Sequence, residues 1–192
     1  MKNIAVFASG SGTNCENLIR HFQKSDFARV SMVVTNNPFA GVIEKTGLLD
    51  VDCYINLFQS DEDFNTLETV LAQNNISWIV LAGFLKLIPK RLLEKYPNRI
   101  VNIHPALLPD FGGKGMYGMN VHKAVIDAQR NISGITIHFV NEHYDKGAVI
   151  AQHSCPVYID DSPETLAQRV HALEYAHYPT ELEKLITVNI TH

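Results

Sequence analysis

The chain has 192 residues, of which 46% are hydrophobic and 19% are charged, and its formal net charge is −4. This composition is typical of a globular domain with its own core and excludes a disordered chain. The slightly acidic balance argues against binding to nucleic acid or to a membrane surface. The three cysteines have no CxxC spacing, which favours a cytoplasmic protein over one with a disulfide framework or a structural zinc.

Short apolar segments alternate with helical patterns over the first half of the chain. Strands are predicted at Asn3–Ala8, Val30–Thr35, Cys53–Ile55, Trp78–Ala82 and Ile100–His104. Helices are predicted at Cys15–Gln23, Ala40–Leu48, Asp61–Gln73 and Lys90–Lys95. This alternation predicts an α/β fold with a Rossmann-like, doubly wound, mostly parallel sheet.

The pattern changes after Pro109. A glycine-rich loop at Phe111–Gly118 and a helix at Val121–Gln129 precede two strands, Gly134–Val140 and Val149–Pro156. Because a short loop joins these two strands, they are most simply antiparallel. We therefore expect the mostly parallel sheet to have an antiparallel C-terminal part.

We expect one domain over residues 1–192, with a nucleotide-binding-like half that ends near residue 104. The second half is expected to carry the mixed part of the sheet and a closing helix at Ser162–Ile186. Ser162 suits the N-cap of this helix and Pro163 suits its first turn. Pro179 is expected to kink or break the helix, because proline lacks the backbone N–H that a helix interior uses.

The first candidate site is the turn Ser9–Asn14, S-G-S-G-T-N, between a strand and a helix. Glycines let backbone N–H groups turn inward, and a helix N-terminus favours an anion, so this turn can hold a phosphate. Cys15 stands where a dinucleotide fingerprint needs its third glycine, so a phosphate monoester fits better than NAD or ATP. The alternative is a tight turn without a ligand.

Asn102 and His104 form a second candidate site. They lie two residues apart on a strand, so their side chains point to the same face. Pro105 ends the strand, and open α/β sheets bind ligands at the carboxyl ends of their strands. Asn can hold an oxyanion, and His can move a proton near neutral pH. The alternative is that Asn102 caps the turn and His104 bonds a backbone group.

The loop Asn141–Gly147 contains Asp145, which follows the strand next to this site. A carboxylate near His104 would raise the pKa of that imidazole and favour its charged form. The alternative for Asp145 is an Asx-type turn before Gly147. His138 lies inside the neighbouring strand, where it either faces the site or is a core histidine with satisfied hydrogen bonds.

Two more segments are candidates for ligand binding. The apolar loop Gly83–Pro89 follows a strand at the same edge of the sheet and can wall a pocket for a flat heteroaromatic ligand. Its alternative role is ordinary closure of the core. Glu174 in the closing helix can bind a pair of sugar hydroxyls, and its alternative is a solvated helix face.

These segments together resemble the phosphoribosylglycinamide formyltransferase family. The resemblance rests on S-G-S-G-T-N, A-G-F-L-K-L-I-P, V-N-I-H-P-A-L-L-P, the strand I-T-I-H-F-V followed by Asp145, and R-V-H-A-L-E-Y-A-H-Y-P. It extends from Asn3 to about Leu185. It implies transfer of a formyl group from the co-substrate 10-formyltetrahydrofolate to the amine of 5′-phosphoribosylglycinamide in purine biosynthesis. It also implies small-molecule substrates, no metal, and a monomer or homodimer.

The resemblance also implies roles for individual residues. The catalytic trio would be Asn102, His104 and Asp145, with His138 as a neighbour. The substrate phosphate and ribose would be bound by Gly12, Thr13, Asn14, His171, Ala172, Leu173 and Glu174. The folate would be bound by Leu85, Lys86, Leu87, Ile88, Asn102, Asn141, Glu142, His143, Tyr144 and Asp145.

Two features depart from the family pattern. Members of the family often carry an Arg at the start of the helix that opens here with Asp61, and the segment Gln59–Glu62 has none. The loop after Pro109 is longer than usual, and its Lys114 can reach a carboxylate or phosphate of a substrate.

Three other functions stay open. Methionyl-tRNA formyltransferase shares the Asn–His–Asp trio, but it has a further C-terminal domain and needs a basic surface for tRNA, whereas this chain ends at His192 with a net charge of −4. Formyltetrahydrofolate hydrolase usually has an N-terminal regulatory domain, whereas the sheet is expected here from Asn3. A catalytically silent phosphosugar-binding protein on the same fold is the third.

Overall fold

The computed structural model describes residues 1–188. Within them, the strands are β1 (Lys2–Phe7), β2 (Ala28–Thr35), β3 (Asp52–Ile55), β4 (Ile76–Leu81), β5 (Ile100–His104), β6 (Ile132–Phe139) and β7 (Val149–Pro156). The helices are α1 (Thr13–Phe22), α2 (Val42–Leu48), α3 (Asp61–Gln73), α4 (Lys90–Lys95), α5 (Met119–Asp127) and α6 (Pro163–Val188). Residues 189–192 of the predicted domain lie outside the described residues, and the single-domain organisation stays a prediction.

The strands form one sheet in the order β3-β2-β1-β4-β5-β6-β7. The strands from β1 to β5 pair in parallel, whereas β6 and β7 pair antiparallel with their neighbours. The strand order reverses between β1 and β4, and this switch point opens a crevice outside the carboxyl ends of the two strands. The predicted fold class, mostly parallel with an antiparallel C-terminal part, is confirmed.

Each face of the sheet has its own apolar core. In β1, Ile4 and Val6 join the core that includes apolar residues of α1 and α6, whereas Ala5 and Phe7 join the core that includes those of α3 and α4. Burial on both faces explains why residues 4–7 of β1 are all apolar and do not alternate with polar residues. Within residues 1–188, no helix combines the length and the apolar character needed to cross a membrane.

The closing helix α6 runs without interruption through Pro179, so the predicted break does not occur. Proline removes the N–H that would bond the carbonyl of Tyr175, four residues earlier. Asn17 of α1 replaces that donor, since its Nδ2 donates to the Tyr175 carbonyl at 2.9 Å. Packing against α1 therefore satisfies the group that proline leaves unpaired. At the other end of the helix, Ser162 Oγ accepts from a first-turn N–H at 3.3 Å, as the predicted N-cap requires.

Several element boundaries differ from those predicted. Helix α5 begins at Met119 rather than Val121, and it ends before Gln129, whose φ of 50° is incompatible with a right-handed helix. Strand β6 begins at Ile132 rather than Gly134, because its pairing with β7 continues to Pro156. Apolar periodicity marks the middle of an element better than its ends, where pairing and backbone geometry decide.

Candidate active site

A cavity of about 680 Å³ opens at the edge of the sheet where β1, β4 and β5 end. Its volume lies in the range typical of small-molecule sites. The walls come from the turn after β1, the loop after β4, the end of β5 with the facing strand β6, and the segment that follows β6. The glycine-rich loop before α5, α5 itself and α6 complete them. Parallel strands bring their carboxyl ends to one edge, so segments far apart in sequence meet here.

The turn after β1 brings the N-terminus of α1 to the cavity. Gly12 has a φ of 75°, and a Cβ at this position would lie 2.6 Å from Val42, so only glycine fits. Ser9 fastens the turn on two sides. Its Oγ donates to Asn36 Oδ1 at 2.5 Å and accepts from the backbone N–H of Leu85 at 3.0 Å. The cavity-lining residues of this turn are Gly10, Ser11, Gly12, Thr13 and Asn14.

Glu174 of α6 faces this turn and is not part of a solvated helix face. Its Oε2 accepts hydrogen bonds from Asn14 Nδ2 and from His171 Nδ1, both at 2.9 Å, and its side chain is only 6% exposed. The hydrogen bond to Glu174 raises the pKa of His171 despite the opposing effect of burial. An imidazole with a raised pKa and a helix N-terminus at one end of the cavity favour an anionic ligand.

The pairing of β5 with β6 places Asn102 directly opposite His138, so the two side chains lie on the same face. Asn102 Nδ2 is 3.2 Å from His138 Nε2. His138 Nδ1 is 2.8 Å from the carbonyl oxygen of Phe139, which can only accept, so Nδ1 carries the proton. His138 Nε2 therefore accepts from Asn102. Asn102 contacts His138 and does not cap the turn, and His138 is both buried and part of the site.

Asp145 lies beside two histidines. Its Oδ2 is 3.5 Å from His104 Nδ1, and its Oδ1 is 3.6 Å from His138 Nε2. The backbone N–H of Gly113 donates to Oδ2 at 2.9 Å. An Asx-type turn does occur in this loop, but Asn141 makes it, since its Oδ1 accepts from a backbone N–H at 3.0 Å. The structure thus brings Asp145 to the predicted partners of its carboxylate.

His104 is neutral near pH 7, because its pKa is lowered overall even though Asp145 raises it as expected. Its side chain is buried, and Nε2 donates to the carbonyl oxygen of Phe111 at 2.8 Å, which leaves Nδ1 facing Asp145. Burial lowers the pKa of His104 and outweighs the opposing effects of Asp145 and of the bond to Phe111. The alternative role considered for His104, a hydrogen bond to the backbone, is therefore present at Nε2, while Nδ1 faces the carboxylate of Asp145.

Asp145 is ionised at neutral pH. Burial alone would raise the pKa of Asp145, but the hydrogen bond from the Gly113 N–H is among the effects that outweigh burial and lower this pKa. The site therefore places a carboxylate beside a neutral imidazole. Such an imidazole can accept a proton, because the carboxylate stabilises the imidazolium that forms.

The loop after β4 forms the apolar wall of the cavity. Leu85 and Leu87 are exposed, 50% and 44% respectively, which core closure does not explain. The predicted folate residues that line the cavity are Leu85, Lys86, Leu87, Ile88, Asn102, Asn141, His143, Tyr144 and Asp145. The predicted site residues outside the cavity lining are Glu142, Ala172 and Leu173. Glu142 instead lies 3.7 Å from Lys90 Nζ, and Leu173 packs against an apolar core.

His122 of α5 lines the cavity, although it was not among the predicted site residues. Its ring is buried, and Nδ1 has no hydrogen-bond partner among residues 1–188. The signal that could have located it is a histidine between Val121 and Val125 on the buried face of a short helix. Lys114 in the glycine-rich loop also lines the cavity.

We expect acid to destabilise the protein through His122. Burial, helped by the nearby His171, lowers the pKa of His122 to about 4, whereas a histidine in an unfolded chain titrates near 6.5. Between these values the unfolded chain binds the extra proton, so the free energy of unfolding falls as the pH falls, by about 3 kcal/mol in all. Urea unfolding of the wild type and of His122→Phe at pH 7 and pH 5 measures about 2 kcal/mol of this loss, the part that falls between these two pH values. Equal losses in the two proteins would contradict the assignment to His122.

Comparison with known proteins gives one consistent result. Residues 2–182 match the family described as formyl transferase. The chain is 42% identical over 185 residues to the chloroplastic phosphoribosylglycinamide formyltransferase of Arabidopsis thaliana, covering 92% of this chain and 63% of that protein. It is 34% identical over 194 residues to the phosphoribosylglycinamide formyltransferase of Bacillus subtilis (strain 168), covering 98% of this chain and 97% of that protein. The crystal structure of glycinamide ribonucleotide transformylase 1 from Geobacillus kaustophilus matches with a TM-score of 0.87 and 37% identity, covering 97% of this chain and 99% of that one.

The sheet and its cavity define a Rossmann-like α/β protein with a small-molecule site at the switch point. The chain belongs to the formyl transferase family, which matches nearly its whole length. It spans 63% of the length of the Arabidopsis relative and 97% of the length of the Bacillus relative.

Proposed function

We propose that the chain transfers the formyl group of 10-formyltetrahydrofolate to the amine of 5′-phosphoribosylglycinamide, a step of de novo purine biosynthesis. The observation that carries this proposal is that one cavity joins an anion-binding turn, an apolar loop and the trio Asn102, His104 and Asp145. A phosphorylated sugar with a reactive amine suits the anion-binding turn, and a donor with a flat ring suits the apolar loop. The trio supplies the groups that formyl transfer from the donor to the amine requires.

The phosphoribosyl end of the substrate fits the region around the start of α1. Backbone N–H groups in the first turn of a helix suit a phosphate, and the raised pKa of His171 favours the charged form of its ring. Glu174 retains acceptor capacity for ribose hydroxyls beyond its bonds to Asn14 and His171. We assign Gly12–Asn14, His171 and Glu174 to this end. Ala172 and Leu173 contribute only as the part of α6 that links His171 to Glu174.

The pterin ring of the donor fits the apolar wall at Leu85–Ile88. The exposed leucines there offer apolar area to a flat ring, and polar groups of Asn141–Asp145 face the same cavity. Lys86 lies in this wall and supplies a cation for the carboxylates of the donor. It would take the place of the Arg that the family often has near Asp61.

The proposed reaction begins when the amine nitrogen attacks the formyl carbon and negative charge develops on the formyl oxygen. The side-chain amide of Asn102 has two N–H groups; one bonds His138, and the other is available for the oxyanion. Neutral His104 accepts the proton of the amine, and Asp145 stabilises the imidazolium. His104 then returns this proton to the departing nitrogen of the donor as its bond to the formyl carbon breaks. The products are tetrahydrofolate and the formylated ribonucleotide.

We also propose that the protein acts on small molecules as one domain, as a monomer or homodimer in the cytoplasm, without nucleic acid or membrane partners. The net charge of −4 supports the absence of a polyanion partner. The free thiols of Cys15, Cys53 and Cys155 suit a reducing compartment.

Incubation with 10-formyltetrahydrofolate and the ribonucleotide, followed by mass analysis, tests the proposed reaction. We expect the formylated ribonucleotide and tetrahydrofolate in equal amounts, with no product when either substrate is omitted. Release of formate without the formylated ribonucleotide would indicate a formyltetrahydrofolate hydrolase instead. Binding of the ribonucleotide without any turnover would indicate a silent phosphosugar-binding protein.

A further inference from the structure

His122 is a buried polar side chain that the proposed reaction does not use. It is 1% exposed and lines the same cavity as His104 and Glu174. Its Nδ1 is buried and has no hydrogen-bond partner among the described residues. A buried polar atom without a partner is unfavourable, and because His122 lines the cavity, a group of the ligand can supply that partner.

The surroundings of His122 place it at the phosphoribosyl end of the cavity. Its ring centroid is 6.3 Å from that of His171, with the two rings at 72°. His171 in turn donates to Glu174, which also accepts from Asn14. Helix α5 holds the ring in place, because the side chains before and after it on the buried face are part of the core. The ring is thus positioned by a helix and not by the glycine-rich loop that precedes it.

The chemistry of the ring indicates which part of a ligand it can bind. Burial keeps the pKa of His122 at about 4, so the ring is neutral at physiological pH. A neutral imidazole has one N–H donor and one acceptor lone pair. Hydroxyl and amide groups also combine a donor with an acceptor and therefore match it. A phosphate has nearby the ring of His171, whose pKa is raised, and the N-terminus of α1, and these two groups suit it better.

We infer that His122 binds the uncharged ribosyl–amide portion of the ribonucleotide, with Nδ1 hydrogen-bonded to a hydroxyl or amide group. This assignment rests on the proposed function, because it takes the phosphoribosyl end to lie beside Asn14, His171 and Glu174. His122 then contributes to affinity for the acceptor substrate and does not contact the reacting atoms.

Calorimetric titration with 5′-phosphoribosylglycinamide alone tests this assignment without requiring turnover. We expect His122→Phe to weaken the affinity about tenfold, as expected for the loss of one hydrogen bond. His122→Gln keeps a donor and an acceptor and should recover part of the affinity. Lys123→Ala is the matched control, since Lys123 is exposed on the same helix and, among residues 1–188, bonds Asp127 alone. In the transfer assay, the KM for 10-formyltetrahydrofolate should stay within twofold of the wild-type value in all three variants.

Thermal unfolding separates a binding role from a structural one. If Nδ1 lacks a partner in the free protein, removing it leaves Tm at pH 7 unchanged or higher in His122→Phe. His122→Leu serves as a second apolar variant should Phe prevent folding. A lower Tm with ribonucleotide affinity within twofold of wild type would overturn the assignment. If the wild-type protein binds the ribonucleotide but forms no formylated product, the proposed function is refuted. The binding role of His122 is not affected by that result, because the titration measures it separately.

Discussion

Replacing His104 by Ala is expected to lower kcat for formyl transfer by about 10²–10⁴-fold, the range associated with one general acid–base group. The KM for each substrate should stay within a few-fold of wild type, because Asn14 and Glu174 at one end and Leu85–Ile88 at the other are untouched. Steady-state kinetics with each substrate varied in turn separates the two parameters. A large loss in kcat at constant KM is the result expected for a group that acts only during proton transfer.

His21→Ala is the matched control for this experiment. His21 lies on α1, pairs with Glu183 at 2.9 Å and is not among the residues that line the cavity. Its removal should leave both kinetic parameters at wild-type values. If His104→Ala kept kcat within about threefold of wild type, far below the usual contribution of such a group, then His104 would not be the proton carrier.

Local sequence patterns were sufficient to predict the general fold and one edge of the site. The strand Ile100–His104 was predicted with its observed bounds, because an apolar run that ends at proline is a local signal. The two-residue spacing of Asn102 and His104 placed both in one cavity for the same local reason. The family resemblance assigned roles to Asp145 and Glu174, and each of them has one partner far away in sequence, His104 and Asn14 respectively.

Contacts that depend on strand register or on helix docking were not predictable from the chain alone. Asn102 meets His138 only because β5 and β6 pair antiparallel in one particular register, and a shift by one residue would separate them. Asn14 bonds Glu174 across 160 positions, a contact created by the packing of α6 on α1. The same packing lets Asn17 satisfy the carbonyl that Pro179 leaves free, which is why the helix continues.

The protonation state of His104 was predicted in the wrong direction for a related reason. A carboxylate nearby was foreseeable, and it does raise the pKa of His104. Burial acts in the opposite direction and is stronger, because His104 is 3% exposed and the segment after β5 folds back so that Phe111 contacts it. Burial of a side chain depends on the whole fold, and so the sign of a pKa shift does too.

Replacing Asp145 by Asn is expected to lower kcat about 10²–10³-fold, since the imidazolium that His104 forms would lose its counter-ion. The carboxylate is also one of the influences that raise the pKa of His104, so this pKa should fall further in Asp145→Asn. If neutral His104 is the proton acceptor, kcat falls as the pH falls through this pKa. The acid limb of the pH profile should therefore move to lower pH in the variant. Measurement of kcat against pH for both proteins gives the position of each limb.

Asp145→Ala separates the charge of this side chain from its contact with the backbone. In Asp145→Asn the amide oxygen can still accept from the N–H of Gly113, which now donates to Oδ2 at 2.9 Å, whereas Ala loses that bond as well. If charge is the main contribution, the two variants should have similar kcat values. A near-normal kcat in Asp145→Asn with a large loss in Asp145→Ala would mean that Asp145 acts by anchoring the glycine-rich loop. An acid limb that stays in place in Asp145→Asn would show that His104 does not titrate beside this carboxylate, and the proposed proton path would then be wrong.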